Sequence, residues 1–297
     1  MAETITNPPF IGIYNFRDVG RVINSFDSHQ TLDGSEVGKF NRLPRMKEGK
    51  LLRSGRLDEA TTEDTQLMID NYHLKTVIDL RTKSELLKRK EIFRDQGKEC
   101  KETHWKRRWD TVKINFIGRK FEVNLLRQLR WWQALWFIVL MLFQQRMAAI
   151  RILGRNVMKP RGLVGLSKDS LRFCQDEILQ TLEVYLDPQA YPVLVHCTQG
   201  KDRSGLIVML ILFILRIPLD LIKTDYVLSN QGLERVRESM IDEVLEIGMD
   251  EKYTQAPKAV VDEVWNFLEE GGGVDVYLDE LGFGESKRQK VRDLLLE

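Results

Sequence analysis

The stretch that most restricts the possible folds runs from residue 193 to residue 215. A short β-branched run, Val193-Leu194-Val195, passes through His196-Cys197-Thr198-Gln199-Gly200-Lys201-Asp202-Arg203-Ser204-Gly205 into an apolar segment over 206–215. The first run reads as a strand. The last is apolar on every side, which predicts a helix buried at the centre of a core. A strand, a tight polar loop and a buried helix in that order leave few architectures open, because the loop must sit at one edge of a sheet with the helix packed beneath it.

The chemistry of the loop follows from its backbone. Amides turned inward over a helix N-terminus present fixed positive partial charge, so Thr198, Gln199, Gly200, Lys201, Asp202 and Arg203 read as a phosphate cradle. Cys197 lies at the base of the same field, which favours thiolate over thiol and makes it a nucleophile. Arg203 brings a planar fork that binds two phosphoryl oxygens at once, a geometry lysine lacks. Ser204 is placed to donate its hydroxyl to the sulfur. His196 reads as ordering the loop by hydrogen bonding rather than as a base, since a thiolate needs none. Two readings stay open for Lys201: added charge near the phosphate, or a solvated loop lysine. Asp202, a carboxylate beside an anion-binding arginine, is either a general acid or a structural partner of nearby donors. A buried, inert Cys197 is the competing reading of the whole loop, and the length of the run His-Cys-x-x-Gly-Lys-x-Arg-Ser-Gly weighs against it.

Elsewhere the chain reads as alternating strands and helices. Residues 1–14 are expected as a loosely held arm and 21–50 as a surface excursion. Residues 51–55 predict a short strand, and 61–72 a helix with Thr61 and Asp64 in capping-box spacing. Residues 76–80 predict a strand buried on both faces, and 83–94 a surface helix. Arg81 closes that strand at the end where open sheets place ligand groups, although a structural ion pair is the favoured role. A weaker strand is expected near 100–105. After the loop, helices are expected over 219–229, 233–245, 258–270, 274–281 and 286–296. The fold class is therefore α/β, with a central, mainly parallel sheet flanked by helices and a helical C-terminal region.

The most unusual segment is 121–165, centred on Trp131-Trp132-Gln133-Ala134-Leu135-Trp136-Phe137-Ile138-Val139-Leu140-Met141-Leu142-Phe143. Thirteen helical residues span about 20 Å against a bilayer core of about 30 Å, which argues against a membrane span. Three readings stand: a core helix, a lid over the catalytic loop, and a peripheral membrane contact through 127–146, for which Arg127, Arg130 and Arg146 supply the flanking charge.

Composition excludes some functions. With 45 basic and 44 acidic residues the net charge is +1, which argues against a nucleic-acid partner. The three cysteines, Cys100, Cys174 and Cys197, and the four scattered histidines show no paired spacing for a metal. A nucleophile that must stay reduced predicts a cytoplasmic protein, membrane-associated under the peripheral-contact reading of 127–146, and residues 1–10 carry no secretory pattern.

The loop resembles that of cysteine-dependent protein tyrosine phosphatases, in particular a bacterial and fungal branch whose loop reads His-Cys-Thr-x-Gly-Lys-Asp-Arg-Thr-Gly. Asn15-Phe16-Arg17-Asp18, Asp79-Leu80-Arg81-Thr82 with Glu85, and the ending Gly272-Gly273-Val274, Tyr277-Leu278, Leu281-Gly282 are similar to the same branch. The chain departs at Ser204, where threonine is usual. The resemblance implies one phosphatase domain over 1–297 with a helical insertion at 106–165, for which it favours the lid among the three readings, and places Arg17 and Asp18 beside the active site. It implies hydrolysis of phosphotyrosine through a phosphocysteine on Cys197, without a cofactor. Phosphoinositides are the alternative substrate, since Lys201 with Asp202 resembles members that accept them. No Trp-Pro-Asp acid loop is present, and Asp110 falls at its place in chain order, so Asp110 competes with Asp202 as general acid. A silent phosphate-binding module is the rival from another class.

Overall fold

The computed structural model describes residues 10–26, 44–95, 97 and 108–297. One sheet has the strand order Arg17–Asp18, Leu51–Ser54, Val193–His196, Thr76–Asp79, Asp110–Lys113. β1 (Arg17–Asp18) lies antiparallel to β2 (Leu51–Ser54) at one edge. β2, β5 (Val193–His196), β3 (Thr76–Asp79) and β4 (Asp110–Lys113) run parallel, as the mainly parallel expectation required. Every residue of β2, β3 and β5 is buried, which accounts for their short, mostly apolar sequences without alternation. His196, the last residue of the central strand, is level with Ser54 and Asp79. The loop that follows therefore leaves the carboxyl edge of the sheet between two parallel neighbours, where open α/β sheets gather ligand groups.

Helices cover both faces. α1 (Val19–Ser25), α2 (Thr62–Asp70) and α3 (Lys83–Asp95) follow the first strands. At α2 the Thr61 hydroxyl accepts the Asp64 N–H at 3.0 Å and the Asp64 carboxylate accepts the Thr61 N–H at 2.9 Å, the reciprocal box its spacing predicts. The same carboxylate accepts the N–H groups of Ile11 and Gly12, and Phe10 packs on Phe16 and Tyr72. Residues 10–14 are thus fastened to the body, a correction to the loose arm. The strand expected near 100–105 and most of the excursion over 21–50 lie outside the described residues.

The middle of the chain is helical: α4 (Arg119–Arg127), α5 (Trp131–Leu142), α6 (Arg146–Leu153), a π turn (Gly154–Met158), α7 (Lys159–Phe173) and α8 (Gln175–Val184). α7 and α8 are separated at Cys174, whose φ of −111° and ψ of 30° leave the helical range. The core reading of 131–143 is overturned, because Trp131 is 80% exposed and Leu142 77%. No helix among the described residues is long and apolar enough to cross a membrane.

α9 (Arg203–Ile214) is buried from Ser204 to Ile214 and forms the floor beneath the loop. α10 (Leu219–Gly232), α11 (Arg237–Glu246), α12 (Ala259–Glu270), α13 (Val274–Glu280) and α14 (Glu285–Leu295) close the molecule within a few residues of their expected bounds.

Candidate active site

Residues 197–202 join β5 to α9, and the carbonyls of 198–201 face outward. Thr198 O accepts the Arg56 N–H at 3.0 Å. Asn15 Nδ2 donates to Gln199 O at 3.0 Å and to Gly200 O at 3.1 Å. Arg53 Nη2 donates to Gly200 O at 2.7 Å and to Lys201 O at 3.2 Å. A trans peptide points its N–H opposite to its carbonyl, so the amides of residues 199–202 are turned to the inside of the loop. One of them, the Gly200 N–H, already meets Cys197 Sγ at 3.3 Å. Gly200 has φ 66°, and a Cβ there would stand 2.0 Å from Ser54 O, so only glycine fits the turn. Cys197 is 2% exposed.

A buried brace holds those donors in place. Asp225, on α10, accepts Arg17 Nε at 2.7 Å and Arg53 Nη1 at 2.6 Å. Arg17 Nη1 donates to Asn15 Oδ1 at 2.6 Å, and Asn15 sits at φ 54°, a left-handed conformation asparagine tolerates better than most residues. Burial, then the charge of Arg53, lower the Arg17 guanidinium to about 10 against the pull of Asp225. The same two arginines hold the Asp225 carboxyl below its usual range against its burial. Arg17 therefore acts on the loop through Asn15 and Asp225. Asp18 caps α1, accepting the Gly20 N–H at 3.0 Å, and accepts the Gly49 N–H at 2.6 Å, so it supports the first helix rather than the loop.

On the other side Arg203 forms a fork with Glu85 of α3: Nη1 to Oε2 at 2.7 Å and Nη2 to Oε1 at 2.6 Å. The Thr198 hydroxyl donates to the same carboxylate at 2.5 Å. Burial works against the charged form of Glu85, but Arg203, the Thr198 hydroxyl and the Thr82 N–H outweigh it and bring the carboxyl down to about 2. Arg81 is buried, with Nη1 on Asp58 at 2.7 Å and Nη2 on Asp79 at 2.8 Å, the structural ion pair favoured from sequence. His196 Nδ1 lies 3.3 Å from Cys197 O, and since a carbonyl can only accept, Nδ1 donates and orders the loop's first residue. Burial foremost holds the imidazole below its usual range, against the attraction of Asp79.

Three expectations are corrected here. Lys201 is 0% exposed, and its Nζ donates to Tyr253 O at 2.6 Å and Gln255 O at 2.7 Å, with Asp202 Oδ1 at 3.3 Å. It is neither solvated nor free to meet a phosphate; it ties the loop to the turn before α12. The Ser204 hydroxyl is buried and has no hydrogen-bond partner among the described residues, so it is not bonded to the sulfur. Asp110 opens β4, exposed and level with Thr76 at the amino edge of the sheet. Three strand residues, about 10 Å, separate that edge from the loop, and Asp110 is removed as the acid.

Asp202 lies within the loop, its side chain 41% exposed. Beside it the buried Tyr226 phenol is kept protonated, by burial first and by this carboxylate second. Sequence reasoning missed Arg53, Asp225 and the contact of Asn15. The available signal was an arginine inside the apolar run of β2 and an aspartate on a helix that also carries Leu221, Ile222 and Tyr226. Among the described residues no group of three or more histidines, cysteines, aspartates or glutamates is placed to hold a metal.

The chain matches the tyrosine phosphatase family over residues 8–297 and belongs to that family. It is also similar to the triple specificity protein phosphatase PtpB of Mycobacterium tuberculosis (strain ATCC 25618 / H37Rv), with 28% identity over 128 residues. That match covers 35% of this chain and 44% of the relative, so it spans less than half of the relative's length.

Proposed function

We propose that this member of the tyrosine phosphatase family hydrolyses phosphomonoesters, phosphotyrosine in proteins first among them, through Cys197. The observation that carries the reading is the set of outward carbonyls at 198–201, which leaves inward amides around Sγ. The thiolate attacks phosphorus, the P–S bond forms, and the P–O bond to the alcohol breaks. Asp202 gives its proton to the departing oxygen. Water then attacks the phosphocysteine, the P–S bond breaks to return the thiolate, and Asp202 takes the water's proton. The loop amides hold the phosphoryl oxygens as charge spreads over them, and Arg203, whose Nη1 and Nη2 are taken by Glu85, offers them its Nε–H and its charge.

A phosphoinositide is the second reading, with peripheral membrane contact through 127–146; the exposed apolar residues of α5 favour it. The relative's printed triple specificity agrees with a site that takes more than one ester. Asp110–Lys113 belongs to the sheet, so the helical part of the insertion, from Arg119 to residue 165, is what is read as a lid, with one domain over 1–297 as the unit of activity. A cytoplasmic setting suits a thiol that must stay reduced. The silent-module reading is weakened by the presence of Cys197 and Arg203 in this geometry.

The test is phosphate release, in chelator, from a phosphotyrosine peptide and from phosphoinositide vesicles. Cys197→Ser should abolish release. Asp202→Asn should lower kcat by about 10²–10⁴ while Asp110→Asn leaves it unchanged. No release by the wild type from either substrate would favour the binding module.

A further inference from the structure

Among the described residues, helix α5 leaves one face without a protein partner. Its inner side is fastened: Gln133 is buried, Oε1 accepting the Arg130 N–H at 3.0 Å and Nε2 donating to Asn156 Oδ1 at 2.9 Å. Ala134 and Phe137 pack against the main core. At about 100° per residue the opposite side carries Trp131, Trp132, Leu135, Trp136, Ile138 and Leu142, each at least 50% exposed. An apolar patch this continuous on one helix marks a surface that meets something.

Charge identifies the occupant. Residues 119–161 carry nine lysines and arginines against a single acid, Glu122, in a chain whose net charge is +1. Arg127 and Arg130 stand exposed just before α5. Twelve helical residues reach about 18 Å, too short to span a bilayer but suited to lying in its surface, where tryptophan is favoured at the headgroup boundary. A two-fold pairing with a second copy of the chain would bring one basic segment against another.

We propose that the outer face of α5 docks flat on an anionic lipid bilayer, with Trp131, Trp132 and Trp136 at the headgroup boundary and Arg127 and Arg130 against lipid phosphates. This deepens the membrane contact named in the second reading, and it stands apart from the chemistry at Cys197. The hairpin is joined to the site's rim, since Arg146 bonds the Ser84 hydroxyl, one residue from the Glu85 that holds Arg203. Docking therefore fixes the catalytic loop relative to the lipid surface.

The test is flotation of the full chain, carrying Cys197→Ser so that turnover plays no part, with phosphatidylcholine vesicles and with vesicles containing added phosphatidylserine. The protein should float with the anionic vesicles, less at high salt, and remain below with neutral ones. Replacing Trp131, Trp132 and Trp136 together with alanine should cut the bound fraction at least about tenfold with thermal unfolding unchanged, as expected for exposed positions. Arg127→Gln with Arg130→Gln should remove the preference for anionic lipid. Absence of flotation, or flotation indifferent to the tryptophans, would overturn the proposal. So would a concentration-dependent dimer that the tryptophan replacements abolish, which would assign the face to self-association.

Discussion

Replacing Lys201 with methionine separates the two roles that a loop lysine can play. The side chain is fully buried, and its Nζ serves the carbonyls of Tyr253 and Gln255 at 2.6 and 2.7 Å. Methionine has similar length and no donor, so the substitution orphans two carbonyls with little change in volume. A buried polar group left without its partner costs about 1–3 kcal/mol. Part of the sum is offset because a desolvated ammonium leaves with the lysine, so the net loss should be about 2–4 kcal/mol. For a chain of this size that lowers Tm by roughly 4–12 °C. Scanning calorimetry reads this directly. Steady-state kinetics on a phosphotyrosine peptide should show a lower kcat, because the loop loses its tie to the turn that also anchors the insertion through Tyr253. KM should change little, because Arg203 and the loop amides still bind the phosphoryl group. A KM raised tenfold or more with Tm unmoved would show that Lys201 meets the substrate, and the strut argument would fail.

Three further outcomes follow from the site. Asp225→Asn leaves the Arg17 and Arg53 guanidiniums buried without their carboxylate, and should destabilise by about 3–5 kcal/mol, read as a lower urea midpoint; an unmoved midpoint would discount the brace. Glu85 is held at about 2 in the folded chain against 4.5 as its ordinary value, so its contribution is fully present above pH 4.5 and drains as pH falls toward 2. Wild-type stability should therefore fall on acidification in that window more steeply than Glu85→Gln, by up to about 1.4 kcal/mol per pH unit, and equal slopes in urea titrations at pH 5 and pH 3 would refute this. Gly200→Ala places a Cβ 2.0 Å from Ser54 O at φ 66° and should lower kcat/KM about a hundredfold through displaced amides; near wild-type turnover would show that the turn tolerates a side chain.

The local rules carried much of the fold. The Thr61 and Asp64 box, the buried strands and the all-apolar helix under the loop were legible because each is decided by neighbours in sequence. The nucleophile and its arginine were legible for the same reason: one loop contains both. Lys201 was not, because the carbonyls that take its ammonium come from residues 253 and 255, and nothing inside the loop points to them. Asp110 was misplaced because a strand begins at that residue, which puts it at the far edge of the sheet. For 131–143 the apolar residues go all round the helix, so periodicity could not say which face the core would take. Arg53 was hidden in a run that reads as strand, since only the arrival of Asp225 makes a buried guanidinium tolerable there.

The outward carbonyls of the loop also have a bearing on biosynthesis. Asn15 and Arg53 are made before Cys197, but Asp225, which orients Arg53, and the turn at 253–255, which receives Lys201, are made after it. A growing chain therefore carries the nucleophile and its arginine well before the groups that set the backbone around them. Ester cleavage is expected only from chains elongated past Gln255, so unfinished products hold the thiol without the cradle that gives it a substrate.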